Sequence, residues 1–196
     1  MSNTLIIGVD SAIGSAIYKL LPNSTCTSRR DGSDHIYLDV LTNPWPTFGQ
    51  KFDQVYYCVS TVSDPQTTME TNATKSVECL SHIAHWVADQ GTVTVLTSIM
   101  GSLMKGFMMP ANEASLYYRM SKAALNMGVM ELAQQHKNIN WQLVHPGFVN
   151  TKLTRNLSYI DQAVDPEYAA EKIVNLPKIN GISYIELDAT GTRMIV

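Results

Sequence analysis

The sequence predicts an α/β fold, a doubly wound parallel sheet of about seven strands with helices on both faces. Three observations lead there. Short runs of β character alternate with helical patterns from one end of the chain to the other. A turn bounded by Gly8 and Gly14 joins the first run to the first helical pattern. No internal repeat, low-complexity tract or linker interrupts the 196 residues, a length that suits one domain, 1–196, with a full core.

The first buried-strand run is Thr4 to Ile7, and an apolar helix pattern runs from Ile13 to Leu21. Two short β-type runs follow, Ser24 to Ser28 and His35 to Leu38, and the RRDGSD between them is too short for a helix. Pro44 and Pro46 break the next stretch before a strand at Gln54 to Val59. A long helical pattern then extends from Pro65 to Asp89, and Gly91 stops it ahead of a strand at Val93 to Thr97. A Gly- and Met-rich loop leads to a helix over Ala114 to His136. Trp141 to Val144 is a strand closed by Pro146 and Gly147. Pro166 opens a helix that ends near Leu176, and Ser183 to Leu187 is the last predicted strand.

Composition narrows the function. The net charge of -3 gives no sign of a nucleic-acid or anionic-membrane partner. No apolar run approaches the ~20 residues that span a bilayer, and the N-terminus lacks the pattern of a secretory signal. Cys26, Cys58 and Cys79 are scattered, without C-x-x-C spacing, and read as reduced thiols of a cytoplasmic protein. His82 and His85 can share a helix face, but no Cys, Asp or Glu cluster joins them, so no metal site is expected.

Glycines between a first strand and a first helix let backbone N–H groups approach a pyrophosphate, which the positive helix end favours. The plain alternative is a ligand-free turn. After the second strand stand Ser28, Arg29 and Arg30, where an acidic residue would take the ribose hydroxyls of NAD and an arginine the 2′-phosphate of NADP. The arginines favour NADP; a solvated charged turn, with Asp31 or Asp34 pairing with them, is the other reading. Asp39 follows the third strand, placed to face the adenine.

Tyr118 and Lys122 lie one helical turn apart in LYYRMSKAALN. An ammonium beside a phenol lowers its pKa from about 10 and suits it to pass a proton to a carbonyl. By itself the spacing is common, and an amphipathic helix with a snorkelling lysine explains it equally.

Together these residues resemble the short-chain dehydrogenase/reductase family, in the right order over nearly the whole chain. The family's T-G-x-x-x-G-x-G loop is similar to Ile7-Gly8-Val9-Asp10-Ser11-Ala12-Ile13-Gly14. Its helix asparagine matches Asn72, its strand-end S-x-x-G matches Ser98 to Gly101, and its Y-x-x-x-K matches Tyr118 and Lys122. Its P-G-x-V-x-T segment matches Pro146-Gly147-Phe148-Val149-Asn150-Thr151. YYRMSKAALN is especially similar to the small carbonyl-reductase-like members.

The chain departs from the pattern in places. Ala12 replaces the middle glycine, Asp10 brings a carboxylate into the phosphate loop, and Cys58-Val59-Ser60 replaces the N-A-G signature. The gap between Ser98 and Tyr118 is long, the segment Thr151 to Ile160 is short, and the helix after the second strand is missing.

The resemblance implies a single Rossmann-type domain that transfers hydride between NADP(H), favoured over NAD(H), and a small carbonyl or alcohol substrate. Tyr118 would be the general acid/base, Lys122 would tune it and bind the nicotinamide ribose, and Ser98 would hold the substrate oxygen. Asn72 would hold a water that resupplies protons through Lys122. Gly8, Ser11, Ile13, Gly14, Arg29, Asp39, Tyr118, Lys122, Pro146, Gly147, Val149 and Thr151 would bind cofactor, the last two at the nicotinamide amide. The alternative is a dinucleotide-binding sensor or scaffold with little catalysis, which Asp10, Ala12 and the missing N-A-G favour.

The loop residues Leu103, Met104, Phe107, Met108, Met109 and Leu116 read as an adaptable apolar lid or, equally, a core or subunit contact. The helix with Met120, Ala124, Met127, Met130 and Leu132 carries apolar residues on more than one face, and in the family such helices pair, implying a homodimer or homotetramer.

Overall fold

The computed structural model describes residues 3–42, 44–106, 113–157, 160–188 and 191–195. Its strands are β1 Thr4–Ile7, β2 Thr25–Ser28, β3 Ile36–Tyr37, β4 Phe52–Tyr57, β5 Val87–Leu96, β6 Asn140–His145, β7 Ile182–Asp188 and β8 Gly191–Ile195. Its α-helices are α1 Ala12–Leu20, α2 Pro65–Met69, α3 Lys75–Ala84, α4 Leu103–Gly106, α5 Glu113–Gln135 and α6 Pro166–Val174. All strands join one sheet in the order β3-β2-β1-β4-β5-β6-β7-β8. The pairings from β3 to β7 are parallel, and β8 adds antiparallel to β7.

Both faces of the sheet are covered, so its central strands are apolar on both sides. Leu5 and Ile7 point to the face where α3 (Leu80, Ile83) and α5 (Leu125, Val129, Leu132) pack. Ile6, between them, points to the other face, covered by α1 (Ile13, Ala16, Ile17) and α6 (Ala169, Ala170, Ile173). Leu132 therefore belongs to the core, whereas Met120, Met127 and Met130 of the same helix are exposed.

Two differences from expectation stand out. The helix expected to reach Asp89 ends at Ala84. Phe52 N–H donates to Trp86 C=O at 2.8 Å, and Val87 is buried and pairs with Phe52, so sheet contacts capture residues that a helical period would also accept. The ladder then shifts register and resumes at Thr92, and Gln90 takes φ 60° in the intervening bulge. The second difference is β8, a hairpin strand not foreseen in the sequence. The link between β2 and β3 contains no helix, as expected.

A five-residue π-turn, Glu70–Thr74, separates α2 from α3. Single π-turns inside helical runs recur at functional sites, and this one carries Asn72.

Candidate active site and dinucleotide crevice

The strand order reverses between β1 and β4, so the chain leaves their C-terminal ends in opposite directions and opens a crevice. Gly8 ends β1 with φ +84°, and Ser11 caps α1 by accepting from Gly14 N–H at 3.0 Å. A Cβ on Gly14 would stand 2.4 Å from the Gly8 carbonyl oxygen, so helix and loop meet this closely only with glycine. Ala12 sits inside α1, and the only positive-φ non-glycine among the described residues is Gln90, so the alanine is unstrained.

Asp10 does not cap α1. Its Oδ2 accepts from Ser28 Oγ at 2.6 Å and from Arg29 N–H at 3.3 Å, and its Oδ1 pairs with Arg30 Nε at 3.1 Å. The carboxylate is thus tied to the end of β2. Asp39 folds back on its own turn, where its Oδ1 accepts from Leu41 N–H at 3.0 Å.

The other end of the crevice is built from β5, α5 and the π-turn. Ser98 ends β5 and caps a 3₁₀ turn, Ile99–Gly101, through Met100 N–H at 3.2 Å. A Cβ on Gly101 would lie 2.7 Å from the Lys122 carbonyl carbon, so glycine lets this turn lie against α5. That contact brings Ser98 to the Tyr118 hydroxyl, whose pKa the serine pulls down.

Lys122 is 1% exposed. Its Nζ donates to the Leu96 carbonyl at 3.2 Å and stands 5.8 Å from the Tyr118 ring centroid. Burial pulls its pKa down from 10.5 to about 8. Burial also raises the Tyr118 pKa above 10, against the opposing pull of Ser98 and, less, of Ser60. The lowering expected from Lys122 is therefore not seen. The ammonium faces the ring and a backbone carbonyl instead of the hydroxyl, and its own charge is weakened by desolvation.

Asn72 is completely buried. Its Oδ1 accepts from Thr61 N–H at 2.7 Å, and its Nδ2 donates to Thr61 C=O at 2.8 Å and to Ser121 Oγ at 3.1 Å. Ser121 Oγ in turn donates to the Tyr118 carbonyl at 2.8 Å. The π-turn is thereby pinned to α5 directly behind the Tyr-Lys pair. Sequence reading passed over Ser121, since a serine beside a lysine in a helix carries no signal of its own. Ser60, in the place of the N-A-G signature, was also missed as a site residue; its Oγ is buried without a normal hydrogen bond.

After β6, Pro146 and Gly147 turn the chain across the end of β7; Gly147 has φ +84°, and a Cβ there would lie 2.9 Å from the Leu187 carbonyl oxygen. Val149 is buried, and its carbonyl accepts from Thr154 Oγ at 2.6 Å. Thr151 Oγ accepts from Leu153 N–H at 3.2 Å. Beside this turn lies a cavity of about 220 Å³ lined by His145, Phe148, Val164 and Tyr168, among others. A cavity of about 430 Å³ near Lys51, His85 and His136 lies at the opposite end of the sheet, away from these residues.

Leu103 and Met104 are highly exposed, and the expected lid residues Phe107, Met108 and Met109 fall outside the described residues. Lys105 pairs with the buried Glu186. Cys26, Cys58 and Cys79 are free and buried, with pKa values pushed up to about 11, 12 and 12. Among the described residues no helix is long and apolar enough to cross a membrane, and no group of three or more His, Cys, Asp or Glu could hold a metal ion.

The crevice fits a dinucleotide: a tight glycine turn meets a helix N-terminus, in a cradle that a Cβ on Gly14 would fill. Comparison with known proteins agrees with the fold. The family model described as enoyl-(acyl carrier protein) reductase matches residues 36–179. The chain belongs to the short-chain dehydrogenase/reductase family.

Among solved structures, a protein described as a short-chain dehydrogenase/reductase from Burkholderia multivorans with bound NADP is 21% identical, with TM-score 0.77 over 100% of this chain and 99% of that one. A short chain dehydrogenase from Burkholderia cenocepacia J2315 in complex with NADP is 16% identical, with TM-score 0.74 over 95% and 96%. A carbonyl reductase from Pseudomonas aeruginosa PAO1 is 17% identical, with TM-score 0.71 over 95% and 96%. No curated protein matches the chain.

Proposed function

We propose that the chain is an NADP(H)-dependent oxidoreductase that interconverts a small carbonyl compound and its alcohol. The observation that carries this reading is Ser98 beside the Tyr118 hydroxyl, with Lys122 buried against the tyrosine ring. The cofactor, when bound, supplies or accepts the hydride. Ser98 donates a hydrogen bond to the substrate oxygen as negative charge builds there. Tyr118 donates the proton in reduction; burial raises its pKa, which keeps it protonated at neutral pH but makes it a weaker acid than a phenol tuned downward.

Lys122 is the group behind Tyr118 that returns the proton and meets the nicotinamide ribose. Its pKa of about 8 lets it carry or release a proton near neutrality. The Asn72–Ser121 contacts hold the helix segment bearing this pair. Both Nδ2 hydrogens of Asn72 are used within the protein, so a water held for Lys122 would have to donate to one of its oxygens. Gly8, Ser11, Ile13 and Gly14 would take the pyrophosphate, Pro146, Gly147, Val149 and Thr151 the nicotinamide side, and Asp39 the adenine. Arg29 and Arg30 support the preference for NADP(H), since an arginine after the second strand accommodates a 2′-phosphate.

The continuous sheet supports one domain over 1–196. The exposed Met120, Met127 and Met130 on α5 support a homodimer or homotetramer, and the buried free thiols a reducing, cytoplasmic setting. The test is a fluorescence titration with NADPH and NADH, followed by turnover on an aldehyde, ketone and quinone panel. Binding with turnover is expected. Binding without turnover on any substrate class would favour a sensor or scaffold of the same fold, and no binding of either dinucleotide would sink both.

A further inference from the structure

We infer that Asp10 is a specificity-determining residue: an internal carboxylate that occupies the 2′-phosphate subsite and holds down the preference for NADP(H). The inference rests on the dinucleotide reading above. Three groups at the end of β2 could receive a 2′-phosphate, namely the Ser28 hydroxyl, the Arg29 backbone N–H and the Arg30 guanidinium. In this structure all three face one carboxylate. Ser28 Oγ donates to Asp10 at 2.6 Å, Arg29 N–H at 3.3 Å and Arg30 Nε at 3.1 Å. Ser28 is 1% exposed and also accepts from Arg30 N–H at 2.9 Å, so its hydroxyl has no freedom to turn elsewhere.

The loop bearing Asp10 is itself fastened to β2. Val9 N–H donates to Thr27 C=O at 3.1 Å, and Gly8 N–H to Thr27 Oγ at 3.4 Å. This stitching holds the backbone that carries the carboxylate beside the end of β2. A 2′-phosphate carries roughly two negative charges at neutral pH. Brought to these donors, it meets Asp10 as a like charge and competes with it for Arg30. A ribose 2′-hydroxyl meets the opposite situation. It can donate to Asp10, as it would to an acidic residue at the end of the second strand. In this chain that acid is supplied from the phosphate loop instead. The wild-type protein therefore binds NADPH and NADH with closer affinities than its two arginines suggest.

The test is calorimetric binding of NADPH and NADH, with 2′,5′-ADP and 5′-AMP as adenine-end probes, to wild type, Asp10→Asn and the double variant Asp10→Asn with Arg30→Met. Asparagine keeps the shape and the acceptor for Ser28, and thermal melts check that each variant is folded. Asp10→Asn is expected to tighten NADPH and 2′,5′-ADP on the order of tenfold while NADH and 5′-AMP stay level or weaken. Adding Arg30→Met should remove that gain. Equal changes for phosphorylated and unphosphorylated ligands, or none, would overturn the role of Asp10 and leave the dinucleotide reading standing. Failure of every folded variant to bind either dinucleotide would overturn the reading itself.

Discussion

The two ends of the crevice are built on opposite principles. At the Ser98–Tyr118–Lys122 end Ser98 and Lys122 are buried and Tyr118 is half-buried, and desolvation moves the pKa values of Tyr118 and Lys122. At the Asp10–Arg30 end the groups are partly open to solvent, with Arg30 side chain 68% and Asp10 22% exposed, and they satisfy one another. The first end holds chemistry in readiness at a cost in stability, since a lysine in the interior is partly stripped of hydration. The second end is satisfied without a ligand, so a ligand must displace an existing pair. Under the proposed function, the buried end would govern proton transfer and the exposed end the choice of dinucleotide.

That contrast can be broken most sharply at Tyr118. Tyr118→Phe removes the acid but keeps the ring, so turnover should fall roughly 10²–10⁴-fold. Dinucleotide affinity by calorimetry should stay within error of wild type. A variant that reduces a good substrate at the wild-type rate would refute the assigned acid.

Lys122→Met tests the cost of burial. The folded-state pKa of about 8 lies below the ordinary lysine value of 10.5, so the unfolded chain binds more protons between those pH values. Stability contributed by this site therefore rises as pH goes from 8 to 10.5, and below pH 8 the full penalty is present. The methionine variant lacks that penalty. Its stability relative to wild type, from urea unfolding, should be greater at pH 7 than at pH 10.5, by up to about 3 kcal/mol. The buried cysteines and tyrosines titrate in both proteins and cancel. A difference independent of pH would show that Lys122 is not desolvated.

Gly101→Ala acts on the packing that joins the two halves of the buried end. Its Cβ would stand 2.7 Å from backbone of Lys122. Destabilisation of about 1–3 kcal/mol is expected, with a fall in kcat as Ser98 is displaced from Tyr118. The smallest effect belongs to the phosphate loop. Ser11→Ala deletes the N-cap of α1 and should lower stability by about 1 kcal/mol in the same unfolding measurement. Unchanged stability in either variant would mean that the close approach or the cap is not a real constraint.

Much of the site was legible from residue order. The turn from Gly8 to Gly14, Ser98 at a strand end, and Tyr118 with Lys122 on one helix all fall on the elements expected for them. They are local features: a strand, a turn and a helix set each one. The failures are contacts made across the sheet. The helix end at Ala84 was misplaced because Trp86 and Val87 answer to Phe52, far away in sequence. β8 was missed because its antiparallel pairing with β7 is what makes it a strand, and its own short run is only weakly apolar. The direction of the Tyr118 shift was misjudged because spacing along a helix says nothing about how deeply the helix is buried.

The sequence by itself therefore determined the alternation of elements, the sheet class and the positions of the reactive residue types, because periodicity and turn chemistry act over a few residues. Only the tertiary structure decided that Asp10 faces Ser28, Arg29 and Arg30 instead of capping α1, and that Lys122 lies under the tyrosine ring at the cost of its own charge. Both are outcomes of desolvation and long-range pairing, which depend on what the rest of the chain packs around a group.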